Sequence, residues 1–177
     1  MHLPKSFRQI SVHVMKPLTE QEIRAAFVNC TKGEAKRLFV PRDLADRPWD
    51  DLDFLGWRDP QAPDRAYLVT AGDAGARGVV LRSSGAASWQ TRRSMCSMCL
   101  TVHTGGVSLM VAPKAGRAGQ QGNSVGAYMC SDLACSLYVR GKKDADVGAR
   151  LPESLTPAEK ILRTVANVDA FLAKVTA

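Results

Sequence analysis

The clearest periodic pattern lies at the C-terminal end of the chain. Thr156-Pro157-Ala158-Glu159 has the spacing of a capping box with proline at the first helical position. Apolar residues then recur at steps of four and three, which places them on one helical face: Ile161, Val165, Val168, Leu172 and Val175. The pattern predicts a terminal amphipathic helix that packs on the domain.

A second helix is predicted near the beginning. Thr19 and Glu22 also have capping-box spacing, and we expect the helix to run from Glu20 to about Asn29. The first 16 residues show no clean period and are interpreted as an N-terminal extension. Residues 17–177 are then expected to form one domain.

Apolar segments bounded by glycine-containing turns predict two antiparallel strand pairs. The first joins residues 66–69 to 78–82, and the second joins 107–112 to 124–129. The glycine-rich connection 113–123 is interpreted as a flexible hairpin tip. Residues 43–64 are acidic and aromatic and contain prolines. We expect that segment to be irregular, with buried aromatic side chains, and to dock by charge against the basic part of the chain.

Composition and charge narrow the class of protein. Of the 177 residues 45% are hydrophobic and 23% are charged, as in a globular protein. No apolar run approaches the roughly 18 residues of a membrane span, and no secretory signal is recognised, so we expect a cytoplasmic protein. The net charge is +7, and residues 74–150 carry the excess. Such a surface favours an anionic partner, either RNA or an acidic protein face.

Four of the five cysteines form two close pairs, Cys96-x-x-Cys99 and Cys130-x4-Cys135, separated by a hairpin-length insert. This spacing is typical of a tetrahedral zinc site. Disulfides and a thioredoxin-like redox motif are the alternatives. Disulfides are typical of an oxidising compartment, which disfavours them in a cytoplasmic protein. A redox Cys-x-x-Cys motif normally occurs without a second pair of cysteines. Cys30 lies on an apolar helical face and is interpreted as a buried thiol.

The order of elements around the cysteines predicts an α+β fold. We expect a knuckle at Cys96 and Cys99, then a hairpin, then a helix that carries Cys135 on its first turns. Ser131 or Asp132 is expected to cap this helix. Knuckle, hairpin and helix in this order make a treble clef. Four thiolates fill the zinc tetrahedron, so the single ion is expected to be structural. His103 is the uncertain member. It follows Cys99 by four positions and could replace one cysteine as a ligand, but we interpret it as a hydrogen-bonding neighbour of the ligands or a partner contact.

Basic residues surround this zinc module, which spans about residues 92–143. The candidates for partner binding are His103 and the following cations: Arg92, Arg93, Lys114, Arg117, Arg140, Lys142 and Lys143. The last three also suit the C-terminal end of a helix, where cations complement the dipole.

The runs RRSMCSMCLTVHTGG and VSLMVAPKAGRAGQQGNSVGAYMCSDLACSLYVRGKK, with the closing LTPAEK helix, resemble the zinc-finger domain of elongation factor G-binding (FusB-type) proteins. The resemblance spans roughly residues 18–175. It implies a treble-clef finger with zinc on Cys96, Cys99, Cys130 and Cys135. It also implies a protein that binds elongation factor G and promotes its release from the ribosome. FusB-type resistance proteins carry a helical bundle before the finger, where this chain has a short helix and the acidic segment.

The sequence therefore favours a non-enzymatic, zinc-stabilised binding protein whose partner is elongation factor G. The alternative is a zinc-containing protein that binds RNA or the ribosome through the same cations. No catalytic triad spacing, phosphate loop or His-Glu-x-x-His motif is present in the sequence.

Overall fold

An antiparallel sheet organises the fold. The computed structural model describes residues 14–83, 92–145 and 153–177, so the start of the predicted extension, residues 84–91 and residues 146–152 lie outside the described residues. The described strands are β1 (Leu55–Arg58), β2 (Arg65–Gly72), β3 (Gly75–Ser83), β4 (Arg93–Met95), β5 (Val102–Thr104), β6 (Val107–Pro113) and β7 (Ser124–Cys130). Five of them form one sheet in the order β1-β2-β3-β6-β7, and β4 pairs with β5.

Helices lie along and between these strands. They are α1 (Glu20–Ala26), α2 (Lys32–Arg37), α3 (Gly116–Gln120), α4 (Cys135–Val139) and α5 (Pro157–Thr176). The two predicted capping boxes are confirmed, because the Thr19 and Thr156 hydroxyls each accept from the backbone amide three residues on. Helix α5 buries the predicted apolar stripe, with Val165 half-buried. None of the helices in the described ranges has the length and apolarity of a bilayer span.

Both predicted strand pairs are confirmed and are longer than expected. In the first pair β2 and β3 run antiparallel through the Gly72–Gly75 turn, with Tyr67 opposite Val80. In the second pair β6 and β7 are in register from Val107 opposite Cys130 to Pro113 opposite Ser124. Two residues of β3 pair with β6, and this joins the two hairpins into one sheet.

The sheet separates two apolar clusters. Alternate residues of β2 point to opposite faces, so Ala66 and Leu68 belong to the cluster with α5 and the cysteines. Tyr67 and Val69 belong to the cluster with α1, α2 and the segment before β1. Met15, which the sequence placed in the extension, is 1% exposed in this second cluster. The packed part of the chain therefore includes Met15.

Helix α1 ends three residues earlier than predicted. Phe27 is extended and forms a parallel bridge with Gly78, and the Val28 amide donates to the Gly78 carbonyl. The Asn29 side chain accepts from the Val80 amide at 2.8 Å and donates to the Val80 and Pro113 carbonyls at 3.0 Å. The chain leaves the helix because here it satisfies the backbone groups of β3.

Two further elements were missed by the sequence patterns. Helix α2 begins after Thr31, whose hydroxyl accepts from the Glu34 amide in a third capping box. The connection 113–123, interpreted as a flexible tip, contains α3. A Cβ on Gly119 would overlap the Lys114 carbonyl oxygen, so the chain approaches itself closely at this point. The glycines here allow a compact turn and not a loose loop.

The acidic segment docks as predicted. Its aromatic side chains are buried: Trp49, Phe54 and Trp57. It contains two short 3-10 turns, Leu44–Asp46 and Trp49–Asp51, and strand β1, so the expectation of an irregular segment is wrong for residues 55–58. The carboxylate of Asp53 accepts two hydrogen bonds from the Arg140 guanidinium, at 2.7 and 2.8 Å. Asp51 lies 2.8 Å from the ammonium of Lys142. Opposite charge therefore holds this segment against the end of α4.

Candidate metal centre

Strands β4 and β5 hold the first pair of cysteines in a tight turn. The Cys96 amide donates to the Thr101 carbonyl, and the Leu100 amide donates to the Cys96 carbonyl, both at 2.9 Å. Leu100 has a φ of 57°, in the left-handed region that a non-glycine residue rarely adopts. The Met98 amide points at the Cys96 Sγ atom at 3.4 Å. The turn therefore directs the Cys96 and Cys99 side chains toward one point.

The second pair of cysteines lies where β7 ends and α4 begins. Cys130 is the last residue of β7 and Cys135 the first residue of α4. The prediction that Ser131 or Asp132 caps this helix is wrong, because Leu133 has a φ of 56° and interrupts any helix there. Asp132 instead accepts from the Ala134 amide at 3.0 Å. Cys135 is on the first turn of α4, as expected.

The four cysteines converge on one buried point: Cys96, Cys99, Cys130 and Cys135. Their Sγ atoms all lie within 4.8 Å of one another, and every side chain is at most 2% exposed. The Sγ–Sγ distance is 3.7 Å between Cys96 and Cys135 and 3.5 Å between Cys99 and Cys130. Sulfur ligands about 2.3 Å from a tetrahedral zinc ion would be about 3.8 Å apart. The donor set thus fits one zinc ion in both chemistry and size.

The thiols of the cluster have pKa values that are shifted in opposite directions. Hydrogen bonds from the thiols of Cys130, Cys135 and Cys99 lower the pKa of the Cys96 thiol. Hydrogen bonding to Cys130 and burial raise the pKa of Cys135. A metal ion would stabilise the thiolate form of all four cysteines together. Zinc and its four thiolate ligands then carry a net charge of about −2.

His103 lies beside the cluster and not within it. Its ring is 3% exposed, and its Nε2 is 3.3 Å from the Cys130 Sγ atom. The Tyr138 ring packs edge-on against the imidazole, with the two ring centroids 4.6 Å apart. Gly106 also packs against the His103 side chain, since a Cβ added there would lie 2.8 Å from the His103 Cβ. The ring is therefore held in place as a hydrogen-bonding neighbour of one ligand. It does not reach the surface as a partner contact.

The cations that follow α4 differ in exposure. The Arg140 side chain is 9% exposed, and its guanidinium forms an ion pair with the buried carboxylate of Asp53. Lys142 and Lys143 are exposed and pair with Asp51 and Asp132 at 2.8 and 2.7 Å. Only these two lysines of the group present charge to solvent.

The remaining candidate cations lie at β4 and in the connection between β6 and β7. Arg93 is in β4, with Arg92 before it, and both make contacts within the fold. Arg117 is exposed on α3, and the Lys114 ammonium lies 3.4 Å from the carbonyl oxygen of Ala177. Arg117 and Lys114 thus lie near the end of α5, whereas Lys142 and Lys143 follow α4.

Some residues that support the centre had no sequence signal. The Asn167 side chain, on α5, donates to the Met98 carbonyl at 2.9 Å, and the Ser97 amide donates to the Tyr128 carbonyl at 2.7 Å. The Arg58 guanidinium donates to the Ser131 carbonyl at 2.6 Å. These bonds tie both cysteine turns to the helix and the sheet. Long-range partners of this kind have no fixed sequence spacing.

Comparison with known proteins identifies the architecture. The model of a family described as the FBP C-terminal treble-clef zinc-finger matches residues 22–175. A solved structure, that of the fusidic acid resistance protein FusC, is similar at a TM-score of 0.59 and 15% identity, covering 92% of this chain and 60% of FusC. No curated protein matches the chain. The family match and the four-cysteine cluster support a single structural zinc ion.

Proposed function

Because the chain belongs to the FBP C-terminal treble-clef zinc-finger family, we propose that it is a zinc-stabilised, non-enzymatic protein that binds elongation factor G. The match over residues 22–175 is the observation that carries the proposal. It includes the motifs that resemble FusB-type factor-binding proteins. The similarity to a fusidic acid resistance protein supports the same assignment at the level of the fold. Release of the factor from the ribosome is the expected consequence of binding.

The chemistry of the centre supports a binding protein over an enzyme. The proposed zinc ligands are Cys96, Cys99, Cys130 and Cys135. With four thiolates the tetrahedron has no position for water, and hydrolytic zinc sites require such a position. The ion would instead hold the two cysteine turns together, contributing on the order of 10 kcal/mol to folding. Residues 17–177 are proposed as the binding domain, with the zinc module at about 92–143.

The proposed partner surface consists of the solvent-facing cations around the zinc module. Lys142 and Lys143 are central because the short turn after α4 presents both side chains. Their ion pairs are exposed, and such pairs contribute only about 0–1 kcal/mol each. They can therefore exchange partners at little cost. Arg117, Lys114 and the Arg92–Arg93 pair are proposed as further contacts on other elements, whereas Arg140 and His103 are largely buried and play a supporting role.

Retention of purified elongation factor G on the immobilised, zinc-loaded chain tests the proposal. We expect retention in low salt and weaker retention as salt rises, because exposed charges are screened. Charge reversal of Arg117, Lys142 and Lys143 to glutamate is expected to reduce retention while leaving zinc content unchanged.

The matched control reverses three exposed lysines elsewhere on the chain, namely Lys16, Lys32 and Lys36. This variant has the same net charge as the first one and should retain the factor as the unmodified chain does. Absence of retention by the unmodified chain in low salt would refute factor binding. Equal loss in both variants would instead assign retention to net charge alone.

Binding of ribosomal RNA is the second candidate. Tyr128 is an exposed aromatic residue on the edge strand β7, next to the first cysteine turn. Aromatic side chains beside cations bind single-stranded RNA by stacking. A filter-binding measurement with ribosomal RNA, with and without the factor, separates the two candidates. Binding of RNA alone, with no retention of the factor, would favour the second.

A further inference from the structure

A cleft of about 320 Å³ lies away from the cysteine cluster, between α2 and the paired strands β2 and β3. Its lining is rich in polar and charged side chains, and it includes three arginines: Arg37, Arg65 and Arg82. The buried Tyr67 side chain also lines the cleft. The volume is at the lower end of the roughly 300–1,000 Å³ range of small-molecule sites.

The arrangement of two of these arginines is unfavourable for the chain alone. Arg65 of β2 and Arg82 of β3 are directly opposite each other in the antiparallel register. Side chains in opposite positions point to the same face of a sheet, and like charges there are destabilising. Arg37 approaches the same cleft from the last turn of α2. Three positive groups therefore line one small cavity.

The carboxylates in the cleft offset these arginines only in part. Hydrogen bonds with Thr31 lower the pKa of Glu34, and the nearby charges of Arg37 and Arg65 lower it further. Glu34 accepts from the Thr31 amide and hydroxyl, both at 2.8 Å. Asp59 accepts from the Gln61 amide and the Tyr67 hydroxyl, both at 2.9 Å. Within the described ranges no ion pair shorter than 4.0 Å involves the three arginines.

We propose that this cleft binds the phosphate group of a small phosphate-bearing molecule through Arg65, Arg82 and Arg37. Guanidinium groups match phosphate geometry because they donate two parallel hydrogen bonds to its oxygens. A phosphate between Arg65 and Arg82 converts their repulsion into two attractions. The site is independent of the zinc centre and of the factor-binding proposal, since it uses none of the same residues.

Isothermal titration calorimetry of the zinc-loaded chain at constant ionic strength tests the proposal. The probes are inorganic phosphate and adenosine 5′-monophosphate. We expect binding, and Arg82→Glu should raise the Kd about tenfold or more, since charge-assisted hydrogen bonds contribute about 1.5–3 kcal/mol. Arg42→Glu is the matched control, because Arg42 is exposed and does not line the cleft.

A melting measurement adds a readout that loss of folding cannot imitate. Without phosphate, Arg82→Glu should melt at a higher temperature than the unmodified chain, because the introduced carboxylate pairs with Arg65. Tighter binding of the nucleotide than of inorganic phosphate would identify a phosphomonoester as the ligand source, and equal binding would identify the free anion. No binding of either probe, or equal binding by Arg82→Glu, would overturn the proposal.

Discussion

The buried ion pair between Asp53 and Arg140 gives the sharpest test of how the acidic segment is attached. Replacing Arg140 by methionine removes the guanidinium but keeps most of the apolar stem. In the structure the Arg140 and Asp53 side chains are 9% and 1% exposed. The variant therefore leaves a carboxylate buried without its cation.

The expected cost follows from this burial. Loss of one partner of a buried pair costs about 3–5 kcal/mol, because the remaining charge is neither hydrated nor paired. At roughly 2–4 °C per kcal/mol for a chain of this size, the melting temperature should fall by roughly 6–20 °C. Lys142→Met is the control. It breaks the neighbouring pair with Asp51, whose side chains are 57% and 23% exposed, and it should cost no more than about 1 kcal/mol.

Urea unfolding followed by tryptophan fluorescence measures both variants. Trp49 and Trp57 are buried in the cluster that the acidic segment covers, so their emission reports its detachment. Replacing both partners, Asp53→Leu with Arg140→Met, should recover much of the lost stability, because no buried charge remains. If Arg140→Met costs no more than Lys142→Met, the pair does not hold the segment and the reasoning is refuted.

Five other substitutions, of which Cys30→Ala is a control, separate the roles of individual residues. Cys99→Ala should abolish stoichiometric zinc in atomic absorption, whereas Cys30→Ala should retain it; equal zinc in both would contradict the ligand set. His103→Leu should keep zinc but release it to a competing chelator about 10–100-fold more readily, and an unchanged release rate would show that the ring is only packed. Thr156→Ala should cost about 0.5–2 kcal/mol in urea unfolding by removing the α5 cap. Gly119→Ala should cost about 1–3 kcal/mol through the clash with the Lys114 backbone, and an unchanged midpoint would exclude the close approach.

Much of the fold could be predicted because its signals are local. The capping box at Thr156 and the stripe after it define α5, and apolar segments bounded by glycine-containing turns define both hairpins. The two cysteine pairs predict the metal centre, since their spacing is typical of a tetrahedral zinc site. In each case the signal lies in residues that are close in sequence, which for the metal centre means the two cysteines within each pair.

The parts that were missed depend on contacts between distant residues. Helix α1 ends early because Asn29 bonds the backbone of β3, and no pattern around Asn29 indicates this. The helix at Cys135 starts late because Leu133 adopts a left-handed conformation that leucine does not favour intrinsically. Arg140 was a candidate for partner binding because it is one of the cations around the zinc module, and only the fold reveals that it pairs with the buried Asp53.

The central claim is that one zinc ion, held by four cysteines, stabilises this chain. The most direct measurement is thermal unfolding by circular dichroism before and after exhaustive removal of metal, with zinc content determined on the same samples. The account predicts one zinc ion per chain, a large loss of stability on its removal, and recovery when zinc is returned. A chain that contains no metal and melts at the same temperature would contradict it.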